Sequence, residues 1–402
     1  MAAPERKWNE RLPPKGKADA VEQRRAKKQK DSHDSTASMC QSRCVVPIHL
    51  REGESHKKHS IYGVDLAKSV FQVYWVDPET GEVFNKQIKR AKFLDFFGNL
   101  TPSLIGMEAC GGSQHWARRL SAMGHDVKLM AGKAVKAFVM GNKNDAADAR
   151  AIWAAVQQAN VKVCAIKTET QQAVLALHRM RQQLVKFRTM QINGLRGLLT
   201  EYGEVMPMGR AALNKSLVEV LAKLADRLPA VLIDTLREQW NMVAKLDQRI
   251  AEIERRLEAW MKQDDSCQRI ATIPGVGLLT ATAAIATMGN ASAFKSGREF
   301  AAWLGLVPAQ TGTGGKVRLL GISKRGDTYL RTLLIHGARG NLTRLKEPNA
   351  WLQGISQRRP KNVVTVALAN KMARTIWALL AHERDFDASF VSAKANRRMD
   401  VM

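Results

Sequence analysis

Two short apolar runs in the first third of this chain each stop at an acid, and that constrains the fold more than any other feature. They are Ile61-Tyr-Gly-Val-Asp65 and Leu104-Ile-Gly-Met-Glu108. Runs of this length and make are strands, so a carboxylate stands at each strand end. Further on, Lys-Asn-Asp145-Ala-Ala-Asp148-Ala-Arg opens an alanine-rich stretch; the spacing of its two acids puts both on one helical face. Hard oxygen ligands gathered at strand ends suit Mg²⁺, which takes carboxylates together with substrate phosphate, and two such ions can clamp a phosphodiester during displacement. Asp65, Glu108, Asp145 and Asp148 therefore read as a metal cage and phosphate chemistry as the leading activity. For Asp145 a plainer role is also open, since the helix macrodipole favours a carboxylate in a first turn.

The pattern around these acids is that of a mixed sheet. Phe71, Val73 and Trp75 alternate with Gln72 and Tyr74, Asp77-Pro78-Glu79-Thr80-Gly81 turns the chain, and Val83-Phe84 runs on to Ile88, which makes a meander of three strands. A helix from Phe93 to Leu100, the strand ending at Glu108, a helix from Ser113 to Met123, a strand from Asp126 to Met130 and the acid-bearing helix complete the series. Three antiparallel strands followed by alternating helices and strands is the order of a ribonuclease-H-like domain with Asp65 on its central strand. A sugar-kinase or actin-like fold begins similarly, but the second phosphate hairpin and the adenosine-site glycine motif that it needs are missing from this sequence.

Composition narrows the substrate. The 402 residues include 63 Lys plus Arg against 37 Asp plus Glu, a net charge of +26 and a pI near 10.1, which favours a polyanion through counterion release. Nucleic acid fits better than membrane, because Lys371 and Arg374 interrupt the apolar stretch Val363–Leu380 short of the roughly 18 residues that span a bilayer. Five scattered cysteines, Cys40, Cys44, Cys110, Cys164 and Cys267, fit a reducing compartment. With no apolar leader in the charged N-terminus, a cytoplasmic protein is expected. Residues 1–60 read as a basic disordered tail, in which Cys40 and Cys44 with His49, His56 and His59 are too irregularly spaced for a zinc site.

Residues 168–265 read as a helical, coiled-coil-like linker. Val174, Leu177, Leu184 and Phe187 form one stripe, and Leu246, Ile250, Ile253, Leu257 and Trp260 another. Residues 266–387 open with Ile273-Pro274-Gly275-Val276-Gly277. The bare N–H groups of Gly275 and Gly277 at a helix start can hold a phosphate, and a tight turn between packed helices is the alternative. Beyond it, Thr311-Gly-Thr313-Gly314-Gly315-Lys316-Val-Arg318 and Gly321-Ile-Ser323-Lys324-Arg325-Gly326 through Arg331 place hydroxyls, glycines and cations in one loop system suited to phosphate; a solvated basic loop is its plainer reading.

Taken jointly, the acidic quartet, the Ile273–Gly277 turn and the Gly314-to-Gly326 segment resemble the DEDD transposases of bacterial insertion sequences, the family linked to bridge RNA, from Ile61 to Asp387. The resemblance implies a RuvC-like ribonuclease-H-fold domain over 61–167, the helical linker, a mostly helical C-terminal transposase domain over 266–387 with a helix-hairpin-helix-like turn, and a tail over 388–402. It implies Mg²⁺ on the quartet, donor and target DNA, a structured guide RNA, and a homodimer or homotetramer. It further implies a C-terminal hydroxyl that joins covalently to DNA, in one composite site with the acids. Family members carry serine before the glycine of the loop where this chain has Thr313, so Thr313 is the expected nucleophile, with Thr311 and Ser323 as neighbours able to take the role. Lys316, Arg318, Lys324, Arg325 and Arg331 are expected to offset phosphate charge. Family members also start near the first strand, which makes Met39 an alternative start. A Holliday-junction-resolvase-like nuclease would share the metal cage without needing the hydroxyl loop, and a non-catalytic nucleic-acid-binding protein would need the charge alone.

Overall fold

The computed structural model describes residues 60–141 and 144–390. The basic segment through residue 59, including the Cys40, Cys44 and histidine group, lies outside the described residues. Residues Thr311–Val317 belong to one compact unit and the rest of the described chain to another.

A six-stranded sheet, ordered β3-β2-β1-β4-β5-β6, is followed by a mostly helical remainder. Strand β1 (Ile61–Asp65) is central: it pairs antiparallel with β2 (Val70–Val76) and parallel with β4 (Leu104–Glu108). On one side β3 (Val83–Lys89) is antiparallel to β2; on the other β5 (Asp126–Met130) is parallel to β4 and β6 (Val163–Cys164) antiparallel to β5. The β2–β3 turn forms because the Asp77 carboxylate accepts from the N–H groups of Glu79 and Thr80 at 2.8 and 2.9 Å, while Gly81 takes a φ of 72°.

Alternation along the strands divides the sheet into two faces. Tyr62, Val64, Phe71, Val73, Ile105 and Met107 face α1 (Phe93–Gly98) and α2 (Ser113–Ala122), where Phe71 meets Phe93 and Trp116 edge-on with centroids 4.7 and 5.2 Å apart. After the single turn α3 (Gly132–Val135), helix α4 (Asp145–Val156) covers the opposite face, where Ala151, Ile152, Ala155 and Val156 are buried with Met130.

Helix α5 (Glu169–Glu201), opened by a Thr168/Gln171 capping box, runs antiparallel to α7 (Ala230–Met261), with α6 (Arg210–Ala225) between them in sequence. The direction follows from the pairs along the seam: Val174 packs with Ile253 and Leu257, Arg181 bonds to Glu254 at 2.7 Å, Arg188 to Asp247 at 2.8 Å, and Leu195 and Leu199 with Leu236 and Val243. Phe187, expected on this stripe, is instead 44% exposed. The adjacent Arg188 takes the seam position through its ion pair with Asp247, which turns Phe187 outward.

Beyond α8 (Asp265–Ala271), the C-terminal core gathers α9 (Leu278–Met288), α10 (Gly297–Trp303), α11 (Thr328–Arg344) and, past α12 (Ala350–Arg358), α13 (Lys361–Ala381) around Phe300, Leu304, Leu330, Leu334, Met372 and Ile376. By length and composition α13 is apolar enough to cross a membrane, which corrects the expectation drawn from Lys371 and Arg374: two charges do not lower its hydropathy enough. Its Val364, Leu368, Met372, Ile376 and Leu379 are buried, so burial in this core accounts for the apolar composition.

His178 ties α5 to this core and is 1% exposed. Thr282 Oγ1 donates to the Leu278 carbonyl at 2.7 Å, so it accepts from His178 Nε2–H at 3.0 Å, and Nδ1 accepts from the Tyr329 hydroxyl at 2.9 Å. This arrangement needs a neutral ring. Burial, and secondarily the Arg181 guanidinium, push its pKa down to about 4. Between pH 6.5 and about 4 the unfolded chain binds a proton that the folded one does not, so stability from this contact is full above pH 6.5 and is lost as pH falls through that window. The melting temperature is expected to drop less between pH 7 and pH 4.5 in His178→Gln than in the wild type, as read by calorimetry.

Candidate active site

Glycines set the geometry of the acidic cluster. A Cβ on Gly63 would lie 2.3 Å from the Ala149 carbonyl oxygen and 2.4 Å from the Trp153 nitrogen, and one on Gly106 would lie 2.8 Å from Val156 Cβ. Helix α4 therefore rests directly on β1 and β4 at these positions. Two residues on, Asp65 and Glu108 share that face, and α4 begins above them with Asp145 and Asp148 in its first turn. The helix start is fixed by the Asn144 side chain, which accepts from the Ala147 N–H at 2.8 Å, and by Asn85 of β3, whose Nδ2 donates to the Ala146 carbonyl at 3.3 Å. Gln72, directly across from Asp65 in the β1–β2 register, is buried and donates to Asn85.

Asp65 senses the other three acids. Burial pushes the Asp65 carboxyl up to about 6, assisted by Asp148, Asp145 and Glu108 in that order. The Cys110 thiol is pushed up by burial and then by Glu108 and Asp65. Room for Glu108 comes from Gly132, where a Cβ would meet Glu108 Oε1. Among the described residues no three His, Cys, Asp or Glu side chains are drawn together closely enough to enclose an ion. An all-oxygen, anionic donor set at two strand ends and a helix start fits a hard divalent cation.

The C-terminal residues divide. Gly275 has a φ of 92°, and a Cβ there would lie 2.7 Å from the Gly337 carbonyl oxygen, so this glycine is required by close packing on α11. Gly277, which precedes α9, has open space around it. Strands β7 (Pro308–Thr313) and β8 (Lys316–Ile322) form a two-stranded sheet in which Thr311, Thr313, Lys316 and Arg318 are exposed, and Lys324 and Arg325 follow, also exposed. Arg331, expected on a phosphate surface, is buried instead: Nη1 donates to the carbonyls of Leu304 and Arg325 at 2.9 Å each and Nη2 to Thr328 Oγ1 at 3.1 Å. It clamps the chain entering the hairpin to the chain leaving it, where Gly305 and Gly326 allow the backbones to touch. Ser323 Oγ is buried without a hydrogen-bond partner among the described residues.

Sequence reasoning passed over the residues that position the acids. Gly63 and Gly106 each stand two places before an acid, and Gln72 is a polar residue inside the apolar run Val70–Val76. A glycine or amide in a strand otherwise made of large apolar residues is the signal that could have found them.

Known proteins share this chain's organisation. Residues 62–204 match the family model of a DEDD-type transposase of the IS110 group, and residues 267–351 match the transposase IS116/IS110/IS902 family. A probable family 20 transposase of Pseudomonas aeruginosa is 48% identical over 80% of this chain and 96% of its own length. The transposase for insertion sequence element IS1111A of Coxiella burnetii is 40% identical over 85% of this chain and 95% of its own. That for IS1328 of Yersinia enterocolitica is 37% identical over 80% and 96%. Matches at this identity, extending over nearly the whole length of each relative, show that the chain belongs to the IS110-family transposases and is an enzyme of insertion-sequence transposition acting on DNA.

Proposed function

We propose that Asp65, Glu108, Asp145 and Asp148 form the metal-dependent phosphodiester centre of a RuvC-like, ribonuclease-H-type domain spanning 61–167, and that the Thr313 hydroxyl is the group that joins covalently to DNA. One observation carries the first half: the Asp65 carboxyl bears the electrostatic load of the three other acids, although the four come from three different elements. When Mg²⁺ is bound, it supplies Lewis-acid neutralisation of the scissile phosphate and lowers the pKa of the attacking hydroxyl. The four carboxylates would hold it, and the Gln72–Asn85–Ala146 chain keeps two of them at the helix start. In the strand-breaking step the bond from Thr313 Oγ to phosphorus forms, the bond from phosphorus to the leaving sugar oxygen breaks, and the threonine proton ends on that oxygen. Attack by a sugar hydroxyl of the incoming strand reverses these changes and releases the enzyme.

Exposure favours Thr313 over Ser323, whose oxygen is buried. Exposed Lys316, Arg318, Lys324 and Arg325 offset phosphate charge, and the open backbone at Gly277 offers N–H donors. Arg331 has no part in this reading, since it is buried and bonded to the Leu304 and Arg325 carbonyls and the Thr328 hydroxyl. The same reading makes residues 168–265 a coiled-coil linker, residues 266–387 the C-terminal transposase domain, a structured guide RNA a second polyanionic partner, and the active form a dimer or tetramer. The net charge of +26 supports the RNA, and the outward Met180, Phe187 and Met190 of α5 support association.

The test is covalent capture. Incubated with donor DNA and Mg²⁺, the wild type and Thr313→Ser are expected to yield a protein–DNA adduct that survives denaturing electrophoresis, Ser323→Ala to keep it, and Thr313→Ala to lose it. An undiminished adduct in Thr313→Ala would assign the nucleophile to another residue.

A further inference from the structure

On the sheet face away from α4, a cleft of about 800 Å³ opens where β2 begins, β3 ends and α1 and α2 approach. Lys68, Lys89 and Arg90 line it together with Ser69, Leu94 and Trp116. Among the described residues none of the three cations has a carboxylate partner, and the acid at the rim, Asp95, is paired with Lys92 at 3.3 Å. Uncompensated charge of one sign in a concave site focuses an anion there.

The site is built rather than incidental. The Arg90 guanidinium lies 5.0 Å from the centroid of the buried Trp116 ring and 5.8 Å from that of Phe71, an arrangement stabilised by cation–π attraction. Its Nη1 donates to the Lys68 carbonyl at 3.4 Å, and the Arg90 backbone N–H donates to the Ser69 carbonyl at 2.9 Å. These contacts hold the guanidinium and tie the Lys68 loop to the end of β3, while its other N–H groups have no protein acceptor among the described residues. Lys89 is across from Val70 in the β2–β3 register, so both lysines flank the held arginine. A planar cation, two ammonium groups and the Ser69 hydroxyl are donors for phosphate oxygens; Leu94 and Val70 offer apolar surface for a sugar. Lys68 also follows Asp65 by three residues, which puts the cleft at the sheet end that carries the acids but on the other face.

We propose that this cleft binds the sugar–phosphate backbone of a nucleic-acid strand and so anchors a polynucleotide at the end of the sheet independently of the acidic cluster. Binding is measured with the full chain in EDTA, so that neither cleavage nor the metal reading enters the result. The probes are a duplex DNA, a single-stranded DNA and an RNA of one length and sequence. Loss of two phosphate contacts in Lys68→Ala/Lys89→Ala is expected to flatten the dependence of log affinity on log salt by about 1.8 for the duplex or about 1.4 for a single strand. By the same slope, duplex affinity at 0.1 M salt falls by up to about 60-fold. The probe that shows the loss identifies the occupant as DNA or RNA. A control pair, Lys215→Ala/Lys245→Ala, removes the same charge from exposed positions on α6 and α7, and melting temperatures establish that all variants fold. If the cleft pair changes affinity and salt slope no more than the control pair for all three probes, the proposal is overturned.

Discussion

Asp65→Asn is expected to lower the rate of DNA strand cleavage by about 10³ or more while making the metal-free protein more stable. The rate follows from the proposed metal role: loss of one ligand would weaken a cation that contributes several kcal/mol to the transition state, at about 1.36 kcal/mol per tenfold. The stability follows from the position of the carboxyl. Its folded pKa of about 6 stands above the ordinary 3.8 because of burial and then Asp148, Asp145 and Glu108. Between those values the folded protein holds a proton that the unfolded chain has released, so this group's contribution is full below about pH 3.8 and is lost as pH rises through about 6. At pH 7.5 the ionised carboxylate is therefore a burden that Asn removes. Half-burial and solvent screening leave about 1 kcal/mol of it, roughly 2–4 °C in melting temperature. Calorimetry in EDTA at pH 4.5 and 7.5 checks the sign: the gain of the variant is expected at the higher pH only. A side chain whose removal stabilises the fold and abolishes the activity is one kept for function.

Gly63→Ala is expected to cost about 3 kcal/mol of stability, at the upper end for overpacking, and to reduce cleavage severely without touching an acid. Its methyl group would be 2.3 Å from a carbonyl oxygen and 2.4 Å from an amide nitrogen of α4. Both are backbone atoms, so no side-chain rotation relieves the contact. Helix α4 has to lift off β1, and its first turn carries Asp145 and Asp148 away from Asp65. A site that loses its geometry by about 1 Å loses on the order of 10² in rate. Gly111→Ala is the matching control: it lies close to Glu108 in sequence, but nothing stands within 4 Å of its added Cβ. Urea denaturation and a cleavage assay on both variants separate a local packing defect from a general intolerance of alanine.

The order of strands and helices around the acids was legible because each relevant cue is local. Alternation in Val70–Val76, the Asp77–Gly81 turn and the alanine-rich start of α4 each specify an element from neighbouring residues. What approaches an element from afar was not legible. The pairing of Arg188 with Asp247 joins positions 59 residues apart, and it, rather than the three- and four-residue spacing of apolar residues, decides that Phe187 faces out. Arg331 reads as one more cation in a basic loop until the carbonyls of Leu304 and Arg325 are seen around it. The roles of Gly63 and Gly106 likewise depend on a helix that starts some 40 to 80 residues later. The places of the acids, Asp65 and Glu108 at strand ends and Asp145 and Asp148 in a first helical turn, were legible from neighbouring residues, whereas the residues that hold them there were not, since their partners are distant in sequence.

Titration of the full chain with Mn²⁺, followed through the paramagnetic signal of the free ion, tests most directly whether Asp65, Glu108, Asp145 and Asp148 share one cation site. The wild type is predicted to take up the ion, and Asp65→Asn, Glu108→Gln and Asp148→Asn each to bind it at least about tenfold more weakly, a loss of about 1.4 kcal/mol. Unchanged uptake in all three folded variants would contradict a shared site.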